Sequence, residues 1–358
     1  MNVLFIYYVP SGGVETLNRE RSRALKKVNI QSHFLYYEKR RELINDHEAP
    51  VYITRDDDKI RNIIENGNYT AIVVTSDFPA LPKIRSFGYQ GKIIVEIQGY
   101  GPKETARRLF KKFAPYVEKY VDGLLNPKTP YIAQLFREIF PGVPSFHFNN
   151  CFDTKKFSYV PVPKPEHPII AWIGRIVANK NWSEFLKIGA RFINEHNPNI
   201  QLMMFEDPTI SDARERKKFH TLVRELQLEK KILRHTNLPH KQMARMFSLI
   251  GESGGFLCST SEAEGAPYSV LEALICRCPV LTTDSDGVKS MIIHNSTGKY
   301  YTLGNIQEAV TEGMELMTNK RLREQIRDNG VRHVEQQFSP EKYADHFLEM
   351  LRQIGAVN

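Results

Sequence analysis

No apolar run in the chain approaches the roughly 20 residues that cross a bilayer. The longest, Val3 to Val9 and Ile169 to Ile173, have the length of strands. A secretory leader would need a charged start, an apolar stretch and a small-residue cleavage site. Val3 to Val9 instead runs straight into Pro10-Ser11-Gly12-Gly13 and reads as a first strand. Cysteine is scarce, at four in 358 residues. Cys151, Cys258, Cys276 and Cys278 show neither a disulfide framework nor paired CxxC spacing, so reduced thiols and a cytoplasmic location are expected. The dinucleotide fingerprint GxGxxG and the phosphate loop GxxxxGK(S/T) are missing, and the eleven histidines form no HExxH pair.

What is present has the balance of an ordinary globular protein: 41% hydrophobic, 25% charged and 11% aromatic residues. That excludes collagen-like, low-complexity and wholly disordered chains. At roughly 150 residues per domain the length predicts about two domains, each able to bury its own core. The net charge of +8 is uneven: residues 1–160 carry 24 Lys+Arg against 17 Asp+Glu, and the remainder 25 against 24. A basic front half fits an anionic partner such as a phosphorylated ligand or a membrane surface. No nucleic-acid module accompanies the charge, so no nucleic-acid partner is expected.

Short runs rich in β-branched residues alternate with longer segments of helical period, the pattern of parallel sheets covered by helices. In the front half, strands are expected at Val3 to Val9, Ala71 to Thr75, Lys92 to Ile97 and Gly123 to Leu125. Helices are expected at Val14 to Val28, Pro102 to Tyr120 and Pro130 to Ile139. The alternation then stops, because Pro141, Pro144, Pro161, Pro163, Pro165 and Pro168 make a density that neither a helix nor a central strand tolerates. It resumes with strands at Ile169 to Ile173, Ile200 to Phe205, Lys231 to Arg234, Gly255 to Ser259 and Pro279 to Thr282. The expected organisation is an α/β Rossmann-like domain over 1–155, a linker over 156–168 and a second doubly wound domain over 169–358. A terminal helix at about 340–355, capped by Ser339-Pro340, has an apolar face (Tyr343, Phe347, Met350, Leu351, Ile354) that can pack back on the first domain.

In open parallel sheets ligands collect beyond the carboxyl ends of the strands, so the residues after each strand matter most. Gly12-Gly13 follows the first strand and precedes a helix; adjacent glycines let amides approach an anion, and serve an ordinary tight turn equally well. Gly174-Arg175, with Lys180 five residues beyond Arg175, could clamp a diphosphate, the guanidinium by its fork and the ammonium as a point charge. The same pair also fits a solvated surface. The stretch from Ser259 to Leu274 places Glu264 in a loop after a strand and Glu272 in the first turns of a helix opening near Ser269. A loop carboxylate there can meet a polyol, helix amides can meet phosphate, and the second carboxylate can accept from vicinal hydroxyls.

These pieces, with Asn150-Cys151-Phe152-Asp153 and Phe157 before the linker and Pro279-Val280 after the helix, resemble retaining glycosyltransferase family 4 over most of the chain. The resemblance implies a GT-B fold, two facing Rossmann-like domains with a C-terminal helix. It implies a retaining, metal-independent transfer of a hexose-type sugar from a nucleotide sugar, UDP-linked in preference to GDP-linked, to a hydroxyl of a glycan, lipid-linked or small-molecule acceptor. No cofactor is expected. Arg175 and Lys180 would bind the donor diphosphate, Glu264 would face the sugar and Glu272 would hold the ribose. Gly12, Gly13, Gly174, Ala266, Tyr268, Ser269 and Val270 would line the donor pocket. Where family members carry a histidine facing the sugar, this chain offers Gln98, which cannot ionise but can bond a hydroxyl. The family's Gly-Gly loop reads Asp286-Gly287-Val288-Lys289-Ser290.

Asp284-Ser285-Asp286 looks like a DxD metal motif but sits where aspartate is a favoured turn residue, so no metal site is expected. Asp56-Asp57-Asp58 reads as a helix N-terminus. Arg107, Arg108, Lys111 and Lys112 share a helix with Leu109, Phe110, Phe113, Tyr116 and Val117. That helix either buries its aromatics in the core or rests on anionic lipid, which would make the protein peripheral at the inner membrane face. The alternatives to transfer are a nucleotide-sugar epimerase and a catalytically silent scaffold of the same fold at a membrane surface.

Overall fold

A computed structural model describes residues 1–357. The chain divides into two units: 1–153 with 264–266 and 337–358 cluster as one, and 154–263 with 267–336 as the other.

The first unit is built from β1 (Asn2–Tyr7), α1 (Gly13–Lys26), β2 (Gln31–Tyr36), β3 (Val51–Ile53), α2 (Asp57–Asn66), β4 (Tyr69–Thr75), α3 (Ala80–Ser86), β5 (Lys92–Glu96), α4 (Lys103–Tyr120), β6 (Gly123–Asn126), α5 (Pro130–Ile139) and β7 (Ser145–His147). Its seven strands pair in parallel in the order β3-β2-β1-β4-β5-β6-β7. Val3 to Ile6 are all buried, because a parallel strand is covered on both faces. Leu4 and Ile6 join Ile72, Val74, Ile93 and Val95 in a core closed by Leu81, Phe110 and Phe136 of the helices. Phe5, on the opposite face, meets Phe34 and, across 6.0 Å, Phe347.

Proline density between Pro141 and Pro168 had argued against a strand there, yet β7 forms directly after Pro144. It is the edge strand, where proline's missing donor costs no ladder bond. Asp56 caps α2 by accepting from the Lys59 amide at 2.9 Å.

The second unit follows with β8 (Ile169–Ile173), α6 (Trp182–Glu195), β9 (Gln201–Glu206), α7 (Ala213–Glu225), β10 (Ile232–Thr236), α8 (His240–Glu252), β11 (Phe256–Ser259), α9 (Tyr268–Ile275), β12 (Val280–Thr283), β13 (Lys299–Tyr301), α10 (Ile306–Thr318) and α11 (Lys320–Gln337). Its parallel order is β10-β9-β8-β11-β12-β13. Trp172, Phe185, Phe192, Leu202, Phe256 and Leu281 centre its core.

The last helix, α12 (Pro340–Gln353), belongs to the first unit. Ser339 caps it, accepting from the Lys342 amide, and Pro340 occupies its first turn. It buries Tyr343, Phe347, Met350 and Leu351 against the sheet face that carries Phe5. Each such side chain contributes about 1.5–3 kcal/mol of burial.

Beneath α1 lies a fully buried ion pair. Arg21 Nη1 donates to both oxygens of Glu96 at 2.8 and 2.9 Å, and neither side chain has any exposure. Arg21 Nε also donates to Asn18 Oδ1 at 2.8 Å, and the Thr75 hydroxyl donates to Glu96 Oε2 at 2.9 Å. Burial works against the guanidinium charge, but Glu96 and Tyr343 together offset it and hold Arg21 above the ordinary arginine range. Removing one partner from such a pair leaves the other buried and uncompensated, at about 3–5 kcal/mol. Glu96→Gln is therefore expected to lower the urea midpoint of unfolding markedly, while the exposed Glu65→Gln leaves it unchanged.

Candidate functional site

Each sheet has a place where the strand order reverses: between β1 and β4 in the first unit and between β8 and β11 in the second. Loops leaving such neighbouring strands diverge and open a crevice at the carboxyl edge. Most of the residues singled out from the sequence lie on these loops.

In the second unit β8 leads into Gly174 and Arg175, and a single tight turn over Ala178–Lys180 precedes α6. A Cβ at Gly174 would stand 2.9 Å from the Trp172 ring and 3.4 Å from Lys180 Cγ, so glycine lets the lysine stem lie against the strand end. Arg175 is exposed and Lys180 half-buried. Thr260, just beyond β11, pins this loop. It accepts from Trp172 Nε1 at 3.2 Å and shares its hydroxyl hydrogen between the carbonyls of Lys180 and Asn181, 3.0 and 2.9 Å away. The Glu262 amide donates to the Asn179 carbonyl at 2.9 Å, and Asn179 Nδ2 donates to the Ala263 carbonyl at 2.9 Å. The cation-bearing loop is thereby laced to the residue immediately before Glu264.

Pro267 precedes α9, and Tyr268 and Ser269 supply its first amides. The Val270 amide is bonded to the Pro267 carbonyl at 3.0 Å. Glu272, one turn further on, is buried, with Oε1 2.9 Å from His240 Nε2. Phe157 stacks on the His240 ring, centroids 4.7 Å apart. The carboxylate foreseen as a ribose ligand is thus oriented by a histidine. No spacing in the sequence announces that contact, since the two residues are 32 apart.

After β12, Asp284 pairs with Lys289 at 3.1 Å. Asp286 holds φ 68 and ψ −72, and the Gly287 amide closes on the Ser285 carbonyl at 2.9 Å. This is the strained γ-turn geometry, and it stands at a segment where the family pattern has glycine. Among the described residues, no three His, Cys, Asp or Glu side chains come together to hold a metal ion.

In the first unit Gly12 ends the loop after β1 with φ 76, a conformation that favours glycine, and Gly13 opens α1. Both are exposed, and a Cβ at either meets nothing within 4 Å. Gln98, two residues past β5, commits its amide to neighbours. Nε2 donates to Glu96 Oε1 at 2.9 Å and Asn150 Oδ1 at 3.1 Å, and Oε1 accepts from Asn150 Nδ2 at 2.7 Å. The Asn150 segment noted in the sequence therefore positions Gln98, which is itself tied to the buried Arg21–Glu96 pair.

Glu264, Gly265 and Ala266 cluster with this unit. A Cβ at Gly265 would fall 1.6 Å from the Gln98 carbonyl oxygen, and the Thr129 hydroxyl lies 3.4 Å from the Gly265 carbonyl. Only glycine permits that approach, which brings Gln98 beside the backbone flanked by Glu264 and Ala266.

The outer face of α4 separates the two expectations held for its basic stripe. Phe110 and Val117 are buried, Phe113 is half-buried against Phe78, and Arg108, Lys111 and Lys112 point to water. Arg107 pairs with Glu138 at 2.8 Å.

Gly265→Ala must push the loop off the Gln98 carbonyl, and overpacking of this kind costs typically about 1–3 kcal/mol. Its melting temperature should fall by several degrees, whereas Gly13→Ala, with open space around it, should melt as the parent does.

The Glycosyl transferases group 1 family model matches residues 153–333, just over half of the chain. No curated protein matches. Among solved structures the chain is similar to sucrose-phosphate synthase from Thermosynechococcus elongatus, with TM-score 0.83, 16% identity and 100% of both chains covered. It is similar to Anabaena HepE in complex with UDP and glucose, with TM-score 0.80, 15% identity, 99% of this chain and 100% of that one. It is also similar to a mutant of S. aureus TarM in complex with Fondaparinux, alpha-GlcNAc-glycerol and UDP, with TM-score 0.74, 11% identity, 98% of this chain and 99% of that one. At these identities the likeness fixes the fold, two domains of parallel sheets with surrounding helices of the GT-B kind. The matched family model, spanning the second sheet with the Arg175, Lys180, Glu264 and Glu272 segments, makes the chain a member of the group 1 glycosyl transferases.

Proposed function

We propose that this glycosyltransferase moves a hexose-type sugar from a nucleoside diphosphate sugar, UDP-linked by preference, to an acceptor hydroxyl, with retention at the anomeric carbon and without a metal ion. The observation that carries the reading is the lacing of the Gly174–Asn181 loop to Ala263. It sets two cations and the backbone leading to Glu264 at one reversal of strand order. The UDP held by HepE and TarM in their solved structures supports the choice of nucleotide.

During transfer the bond from the anomeric carbon to the diphosphate oxygen breaks, and the nucleoside diphosphate leaves with the electron pair. Negative charge grows on the leaving group while positive charge grows on the ring. Arg175 and Lys180 would stabilise the first, and Glu264 would face the second and orient the sugar. The amides of Tyr268 and Ser269, heading α9, would bind the phosphates, with Gly174 leaving room for close backbone approach. Glu272, held by His240, would accept from the ribose hydroxyls. A scaffold without turnover is the second reading; the engagement of both ends of the Gln98 amide favours it, since that side chain is already satisfied.

Calorimetry with UDP and UDP-glucose, followed by a donor-hydrolysis assay, separates the two. Lys180→Ala should weaken UDP binding and lower turnover by about 10²–10³, the cost of losing one preorganised donor. Glu264→Ala should still bind UDP yet turn over far more slowly. Wild-type binding with no hydrolysis or transfer of any donor would leave the scaffold reading.

The water-facing row Arg108, Lys111 and Lys112 on α4, with Tyr116 40% exposed beside it, supports attachment to an anionic membrane surface. No helix is long and apolar enough to cross a membrane among the described residues. Co-sedimentation with phosphatidylserine vesicles should exceed that with neutral vesicles and fall in Lys111→Glu/Lys112→Glu; equal recovery with both vesicle types would remove the membrane from the proposal.

A further inference from the structure

β3 closes one side of the first sheet, and only its inner edge is bonded. The Phe34 amide donates to the Pro50 carbonyl and the Thr54 amide to the Tyr36 carbonyl, each at 2.9 Å, so the even-numbered residues of this stretch face β2. Backbone groups alternate sides along a strand, which turns the amides and carbonyls of Val51 and Ile53 outward. No strand lies on that side to receive them. Native sheets commonly guard such an edge with a charge or a proline. Val51-Tyr52-Ile53 carries neither, and Ile53 is 37% exposed.

A cavity of about 690 Å³ is lined by this strand on one side and by α2 on the other. Lys59, Asn62, Ile63 and Asn66 stand at i, i+3, i+4 and i+7 and make the helical wall, while Ile60 and Ile64 turn into the core. Tyr52 and His33 also line it, their rings 6.2 Å apart, and the His33 ring is set edge-on to buried Tyr69, with Nδ1 3.0 Å from the Tyr69 hydroxyl. Asn2 closes the amino end of the groove by donating to the Gly67 carbonyl at 2.8 Å. The three aspartates that open α2 are occupied elsewhere: Asp56 caps the helix, Asp57 pairs with Lys83 and Asp58 with Arg61. Lys59 makes no ion pair among the described residues, and no carboxylate lines the cavity.

An occupant that uses all of these groups must offer backbone amides and carbonyls at the strand spacing, an apolar side chain for the space between Tyr52 and Ile63, and a negative charge. A free anion or a saccharide would leave the strand edge unbonded; an extended polypeptide would not, and the Asn62 and Asn66 carboxamides have the donor and acceptor of a peptide group themselves. We infer that the groove between β3 and α2 is a docking site for an extended, acidic segment of a partner protein. The segment adds as a further strand beside β3, bonds to Val51 and Ile53, and sets a carboxylate against Lys59. Neither β3 nor α2 carries a residue of the donor site, so docking and nucleotide binding are separately measurable.

The probes are fluorescein-labelled peptides of alternating valine and serine with a central glutamate, lysine or glutamine, titrated with the whole protein by anisotropy. The glutamate peptide should bind at least tenfold more tightly than the lysine peptide, and in its presence the amides of Val51 and Ile53 should exchange more slowly with deuterium. Ile53→Pro removes one outward amide, a change that an edge strand tolerates, and should weaken binding tenfold or more with melting and UDP affinity unchanged. Lys59→Glu, at an exposed position, should reverse the preference to the lysine peptide. Binding of none of the peptides, undiminished binding by Ile53→Pro, an unaltered charge preference in Lys59→Glu, or displacement of the peptide by neutral oligosaccharides would each overturn the inference. Self-association of the protein that Ile53→Pro abolishes would overturn it too, since the occupant would then be a second copy of this chain.

Discussion

A guanidinium and a carboxylate with no access to water set the geometry of the first unit. Arg21 rises from the middle of α1 and Glu96 closes β5, so one ion pair fixes the helix that begins at Gly13 and the strand that delivers Gln98 and Tyr100. Neither group tolerates being left alone in that interior, which makes their mutual placement a strict constraint. Asn18, Thr75 and Gln98 direct their hydrogen bonds to the same pair, and Asn150 is recruited through Gln98. Polar residues from separate stretches of chain are thus brought to a single arrangement. Rigidity of that kind is what a site acting on hydroxyl groups requires, since a displacement of about 1 Å can cost two orders of magnitude in rate.

The second unit reaches the same end with neutral groups. Thr260, Asn179 and the Glu262 amide lace two loops by backbone carbonyls. A diphosphate ligand would then meet Arg175 and Lys180 at a loop whose shape is already set, so little ordering cost remains on binding.

Much of this architecture was legible in the residues themselves. β8 falls where its apolar run predicts, and β1, β4, β5, β6 and the helices α1, α4 and α5 lie within about two residues of their expected ends. β2 was missed because Gln31, Ser32 and His33 interrupt its apolar pattern; Ser32 is nevertheless buried, drawn in by parallel register with Val3. β3, β7 and β13 are three residues each, too short for any periodicity to register. In the site, the types and positions of Gly12, Gly174, Glu264 and Glu272 followed from their places after strands and in helix starts. Their partners did not. His240 meets Glu272 across 32 residues and Asn150 meets Gln98 across 52, and such pairings arise only when a sheet edge gathers distant loops. Gly265 carries no signal as one glycine among 21, because what demands it is a carbonyl 167 positions earlier in the chain.

The return of α12 to the first unit bears on how the protein is made. One face of the first sheet, around Phe5 and Phe34, is covered only in part by α1, whose Arg21 guanidinium lies 4.1 Å from the centre of the Phe5 ring, until Phe347 and its neighbours arrive from beyond the second unit. On a ribosome the second unit has all its strands in hand before that happens. The unit translated first is thus the one finished last, and until α12 joins it its partly covered aromatic face is a surface for chaperones to shield.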